Sequence, residues 1–129
     1  MHRDERLVTL EQAINASRRL DKLIAAVLAE DSFREDSWRI LSLLSRSHGL
    51  LMGEVASELS LPNATTTRLI DDLVDTALVF RRPSPVDGRK AMVYLSREGE
   101  ARLARIDAML AGRVEVLFDA LENIRFARV

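Results

Sequence analysis

The sequence predicts a mainly α fold that carries one two-stranded β-hairpin. Three observations lead there. Apolar residues recur every three or four positions along most of the chain; the run from VFRR to KAMVYLS alternates instead; and the loop inside that run, PSPVDG, holds the proline and Asp-Gly signals of a hairpin turn. With 129 residues, 47% of them hydrophobic, the chain suits one ordinary domain with a real core.

The first helix is expected over residues 6–31, with Leu7, Leu10, Ile14, Leu20, Ile24 and Val27 holding a rhythm that breaks at Ser17 and ends near Glu30. A second follows Asp36-Ser37, with Ser37 as its cap and Trp38, Leu41 and Leu44 as its apolar stripe, and stops near His48-Gly49. MGEVASELSLP reads as a short helix with Met52, Val55, Ala56 and Leu59 on one face, closed off by Pro62. NATTTRLIDDLVDTALV resumes helical spacing at Thr66, Leu69, Ile70, Leu73 and Ala77. That leaves Asn63, Thr65, Arg68, Asp71 and Asp72 pointing outward and Thr66 inward. Two short helices joined by a tight turn make a helix-turn-helix, and the hairpin behind it is a wing. Ser96 suits the cap of a final helix over 97–129, with Leu103, Ile106, Leu110, Val114, Leu117, Leu121 and Ile124 in register. The expected organisation is a single domain, 1–129, in which a winged helix-turn-helix lobe over 37–96 is flanked by N- and C-terminal helices suited to dimerisation.

Composition narrows the chemistry. The formal charge of −1 offers no global attraction to a polyanion, so any such site must come from local segregation of charge. The absence of cysteine excludes disulfide scaffolds, thiolate metal sites and thiol nucleophiles. His2 and His48 make neither a metal cluster nor a nucleophile-base pair, and the five glycines are scattered rather than gathered in a phosphate loop. No enzyme, cofactor or metal is expected. The opening MHRDERLVTL is charged and no apolar run reaches the roughly 20 residues of a membrane span, so the expectation is a cytoplasmic chain without a signal or anchor.

Charge does segregate in one place. Arg81, Arg82, Arg89 and Lys90 face a single acid, Asp87, inside one hairpin. Because Arg81 and Arg82 alternate across a strand, at most one of them faces a given partner. Asp87 facing a polyanion would be repelled, so a charge-assisted bond to an arginine is its physically sensible role. The ordinary alternative is a solvated hairpin with incidental cations.

The segments WRILSLL, GEVASELSLPNATTTRLIDDL and ALVFRRPSPVDGRKAMVYLSREG, in this order and with the Asp87-x-Arg89 pair before Leu95-Ser96 and Gly99, resemble the MarR family of winged helix-turn-helix regulators over residues 38–99. The resemblance implies a DNA-binding regulator, a repressor whose affinity for double-stranded DNA falls with a small aromatic or anionic effector. It places Arg89 in the minor groove, with Asp87 orienting it. In the major groove it places the helix that begins near Asn63, whose Asn63 amide, Thr65 and Thr67 hydroxyls and Arg68 guanidinium reach base edges. Arg68 can pair with guanine or clamp a phosphate, and the threonines can instead serve as surface or capping hydroxyls. Arg18, Arg19, Trp38, Met109 and Arg113 are candidates for an effector cleft, although a tryptophan is more often core. The apolar length of the terminal helices suits a homodimer and hence a pseudo-palindromic operator, with Phe126 and Val129 as partner contacts or a frayed end. The rival reading is a winged-helix protein-interaction module or a weakly binding regulator, suggested by Asp71, Asp72 and Asp75.

Some positions depart from the family pattern. Ala77 stands where glycine is usual, Asp72 where a basic residue is common, Thr66 where valine is usual, and Leu51 and Pro62 where hydroxyl caps are frequent. If position 77 needs a positive φ, alanine costs about 1 kcal/mol.

Overall fold

A computed structural model describes residues 2–122. Its order is α1 (Glu5–Ala29), α2 (Glu35–Ser45), β1 (Leu50–Leu51), α3 (Met52–Leu59), α4 (Asn63–Asp75), β2 (Val79–Pro83), β3 (Ala91–Leu95), α5 (Arg97–Ala111) and α6 (Val114–Asp119). The chain divides into two units: Phe33–Asp107, and the flanking Met1–Ser32 with Ala108–Val129.

In the first unit, Ile40, Leu41 and Leu44 of α2, Val55 and Leu59 of α3, Leu69, Ile70 and Leu73 of α4, Leu78, Val79, Val93 and Leu103 form one core. Of the stripes anticipated from periodicity in this unit, Leu41, Leu44, Val55, Ala56, Leu59, Thr66, Leu69, Ile70 and Leu73 are buried and Trp38 and Met52 half-buried, whereas Ala77, expected to continue the α4 stripe, lies past the end of that helix and is exposed. Thr66, read as inward, is 1% exposed, and its hydroxyl donates to the Pro62 carbonyl at 3.0 Å, so its polar group is satisfied inside the helix.

The wing is larger than expected. Leu50 and Leu51 form a third strand, β1, which pairs antiparallel with β3 (Leu50 with Val93, Leu51 with Met92), giving the order β1-β3-β2. Two residues are too few to display alternation, so this strand exists only through its partner. Gly49, at φ 103, turns the chain into it, and a Cβ there would lie 2.4 Å from the Tyr94 ring. β2 and β3 pair from Val79–Leu95 to Pro83–Ala91, with Pro83 on an edge strand where its missing N–H costs no ladder bond.

Two further expectations need correction. Ser37 does not cap α2. The helix starts at Glu35, with Arg34 at the N-cap and no side-chain cap bond, while Glu35 and Asp36 favour the positive end of the helix dipole and Ser37 is buried in the first turn. The final helix is also not continuous, since α5 ends at Ala111 and α6 starts at Val114, with the poor helix former Gly112 at the break. Ile124, Phe126 and Val129 lie outside the described residues.

Ser96 does cap α5: its hydroxyl accepts the Gly99 N–H at 2.9 Å and donates to the Ala77 carbonyl at 2.6 Å, tying the helix start to the turn before β2. The N-cap of α3, Leu51, has no hydroxyl, and the Glu54 carboxylate instead accepts the Leu51 N–H at 2.8 Å. The N-cap of α4 is Pro62, with no side-chain cap bond.

Ala77 adopts φ 62 at the end of α4. The Leu78 N–H donates to the Leu73 carbonyl at 2.9 Å and the Ala77 N–H to the Val74 carbonyl at 3.0 Å, the paired bonds of a Schellman turn, which favours glycine at this left-handed position. Ala77 is exposed, so its methyl group contributes little packing in return. Ala77→Gly is therefore expected to stabilise the chain by about 1 kcal/mol, read as a higher urea midpoint at unchanged m-value. A lower midpoint would show that the left-handed strain is absent.

In the second unit Asp4 caps α1 by accepting the Arg6 N–H at 2.9 Å. Ala16, Ile24, Val27 and Leu28 of α1 and Leu117 of α6 are buried. Arg113 donates to both Glu30 carboxylate oxygens, at 2.9 and 3.2 Å, and Arg19 to the Ala120 carbonyl at 3.3 Å. Leu7, Leu10 and Ile14 of α1, and Val114, Val116, Phe118 and Leu121, stay exposed.

Candidate nucleic-acid interface

Core packing decides which face of α4 is free. Thr66, Leu69, Ile70 and Leu73 are buried, so Asn63, Thr67, Arg68, Asp71, Asp72 and Asp75 are exposed, with Thr65 half-buried at the boundary. Thr67 donates its hydroxyl proton to the Asn63 carbonyl at 3.0 Å, which leaves oxygen lone pairs as its outward-facing chemistry. The exposed face thus offers an amide, hydroxyl oxygens and one guanidinium beside three acids.

The wing tip is held by a residue whose role the sequence did not signal. Ser84, between two prolines, reads from composition only as turn material. In the fold it is buried, and its hydroxyl accepts the N–H groups of Val86 and Asp87 at 3.2 and 3.3 Å. Its own N–H meets the Lys90 carbonyl at 2.8 Å, and the Lys90 N–H meets the Asp87 carbonyl at 2.9 Å. This loop presents Val86 to solvent at 95% exposure.

Asp87 fixes its neighbour in two ways. Its Oδ1 accepts the Arg89 backbone N–H at 3.1 Å and the Arg89 Nε–H at 3.1 Å, while Oδ2 receives Nη2 at 3.4 Å. The Arg89 side chain nevertheless stays 91% exposed, so it is aimed without being covered. The Arg89 guanidinium first, and then its backbone N–H, hold the Asp87 carboxyl below its ordinary range. A depressed carboxylate keeps its stabilising bonds above the unfolded-state value and loses them as pH falls through the folded one, so the arrangement is intact at neutral pH.

The two adjacent arginines part company, as strand alternation requires. Arg81, in register with the buried Val93, ion-pairs through Nη2 with Asp71 of α4. Arg82 lies on the opposite face, in register with Met92, with its guanidinium 4.9 Å over the Phe80 ring and its Nη1 donating to the Arg81 carbonyl at 2.9 Å. Phe80 in turn stacks on Tyr94 across the ladder, centroids 5.3 Å apart, an aromatic support missed because a single Phe and Tyr on different strands reveal nothing until the register is known. A shallow cleft of about 200 Å³ on the wing is bordered by Arg81, Arg82, Pro83, Gly88, Arg89, Lys90 and Ala91, so all four cationic residues picked from the sequence adjoin it, although the Arg81 and Arg82 side chains leave the strand on opposite faces.

The effector candidates are divided between the two units. Trp38 belongs to one unit, and Arg18, Arg19, Met109 and Arg113 to the other. Trp38 packs against the core of its unit and donates its indole N–H to Asp107 at 2.9 Å, which accounts for its polar atom. Arg19 and Arg113 have the partners given above. Among the described residues, no group of three or more His, Asp or Glu side chains is placed to hold a metal ion, and no helix is long and apolar enough to cross a membrane.

Residues 33–90, from the start of α2 to the wing tip, match the MarR family model. Over those residues, which hold the helix-turn-helix and most of the wing, the chain is of the MarR family. The chain is 30% identical over 109 residues to the HTH-type transcriptional repressor YetL of Bacillus subtilis (strain 168), covering 83% of the present chain and 64% of YetL. It therefore spans somewhat under two thirds of that repressor's length. Its fold matches the transcriptional regulator BldR of Sulfolobus solfataricus with a TM-score of 0.84 at 21% identity, covering 96% of this chain and 90% of that one. It also matches the transcriptional repressor CouR, solved bound to a 23-mer DNA duplex, with a TM-score of 0.74 at 26% identity, covering 84% and 76% of the two chains.

Proposed function

We propose that this chain is a MarR-type, sequence-specific DNA-binding regulator that acts as a homodimeric repressor and is released from its operator by a small aromatic or anionic ligand. The observation that carries the DNA-binding part is the pairing of two exposed polar surfaces in one unit: Asn63, Thr67 and Arg68 on α4, and the cation-lined wing with Arg82, Arg89 and Lys90. A helix in the major groove reads bases through amide, hydroxyl and guanidinium groups, and a basic hairpin beside it meets phosphates and the minor groove. Thr65, half-buried at the edge of α4, completes the base-facing set.

Dimerisation is supported by apolar side chains left exposed on α1 and α6. Leu7, Leu10 and Ile14 follow helical spacing, and Val114 and Phe118 do the same; soluble chains seldom leave such rows to water. A two-fold dimer would read half-sites one helical turn, about 34 Å, apart. Arg18, Arg19, Trp38, Met109 and Arg113 are the effector-contact candidates, and an effector acts here only through different affinities for two conformations of the dimer.

Asp72 and Asp75, exposed on α4, favour a second reading, a winged-helix protein-interaction module. Salt separates the two. A dimer that neutralises several phosphates is expected to lose operator affinity linearly in log salt, with a slope of about −0.9 per phosphate contacted. Binding to a duplex enriched from genomic fragments by the chain itself, followed across salt concentrations, checks this; no enrichment of a two-fold sequence and no salt dependence would favour the interaction module.

A further inference from the structure

Asp71 is an acid on the helix that the reading above directs towards a polyanion, and by charge alone it opposes binding. Its surroundings change that. Arg81 leaves β2 on the face that carries the buried Val79 and Val93 and reaches Asp71, where Nη2 donates to Oδ1. The Arg81 side chain is 33% exposed and that of Asp71 54%, so the pair bridges α4 and β2 at the surface, with Arg81 the more covered partner. Arg82, one residue on, is carried to the opposite face and supported by Phe80.

We propose that the Asp71–Arg81 ion pair is a positioning element of the DNA-binding surface. It ties the first wing strand to the recognition helix across the Schellman turn at Ala77, so that the helix and the wing meet the duplex at a fixed spacing. Asp71 is spent on the tie instead of repelling phosphate, and the neighbouring arginines divide the work: Arg81 is internal, and Arg82 faces the nucleic acid. This inference rests on the DNA-binding reading for its functional consequence, but the tie itself is testable without DNA.

The sign of one substitution discriminates. If Asp71 merely repels DNA, Asp71→Asn tightens binding; if it holds the wing, the same change weakens binding even though it removes a negative charge. The experiment uses the full chain and a fluorescent duplex selected by the wild type. Asp71→Asn and Arg81→Gln are each expected to weaken binding about fivefold, with the double variant no worse than either single one. Arg81→Lys, which keeps the ion pair, should recover most of the loss. The salt slope of Arg81→Gln should match wild type, whereas Arg82→Gln should flatten it by about 0.9. Hydrogen exchange on the DNA-free chain gives the independent reading, with β2 and β3 amides exchanging faster in Asp71→Asn. Tighter binding by Asp71→Asn, a flattened slope for Arg81→Gln, or wild-type exchange in the wing would each overturn the proposal. A wild type that binds no duplex, together with faster wing exchange in Asp71→Asn, would end the DNA-binding reading and leave the tie standing.

Discussion

Gly99→Ala is expected to destabilise the chain by about 3 kcal/mol, the upper end of the usual cost of overpacking. An alanine Cβ at this position would lie 2.0 Å from the Leu78 carbonyl oxygen and 2.6 Å from Leu95 Cδ1. The carbonyl cannot simply move aside, because it accepts the Ser96 N–H at 3.1 Å in the same turn where Ser96 bonds the Ala77 carbonyl. Relief requires the first turn of α5 to lift away from the junction of α4 and β2, which would also weaken the Gly99 N–H bond to Ser96. Thermal unfolding of the variant should show a midpoint lower by about 10 °C, scaling the loss to a chain of this size. Gly53→Ala serves as the control, since nothing lies within 4 Å of the added Cβ and the residue is helical, so its midpoint should equal or exceed wild type. Equal melting of Gly99→Ala and wild type would mean that helix and strand do not approach as closely as described.

The second large effect concerns binding. Arg68→Ala is expected to cost about 1–3 kcal/mol of operator affinity if the guanidinium reads guanine, and to relax selectivity at one base pair. Arg89→Ala is expected to weaken binding about tenfold across all sequences and to flatten the salt slope, because a wing arginine contributes charge rather than base readout. The two effects separate in one titration series against the selected operator and single-base variants of it. Neither change should alter the melting temperature, since Arg68 is exposed and the Arg89 side chain is 91% exposed. Operator affinity unchanged in both variants would remove α4 and the wing from the interface.

Helices with a buried stripe were legible because the stripe is written in the local repeat. Leu69, Ile70 and Leu73 could be placed inward from spacing alone, and so could Thr66 despite its hydroxyl. The hairpin was legible from the alternation of VFRR and KAMVYLS and from its turn residues. The Asp87–Arg89 unit was equally accessible, because residues two apart in a tight turn interact whatever the rest of the fold does. Ser37 misled because a serine ahead of an apolar stripe looks like a cap, while the first-turn acids Glu35 and Asp36 let the helix begin earlier.

The sequence by itself determined the mainly helical class, the order of the elements, the inward faces of α2 to α4, the wing and its concentration of cations. All of these follow from interactions spanning a few residues. Tertiary structure decided what depends on residues brought together from afar. Leu50 and Leu51 become a strand only against β3. Phe80 becomes a support for Arg82 only once Tyr94 lies across from it. Gly99 becomes obligatory only where Leu78 passes. The sharpest case is Asp71, which reads as a repulsive charge on a binding helix until strand pairing turns Arg81 towards it. Pairing register is a property of two segments together, so no local pattern in either one could have assigned that carboxylate its partner.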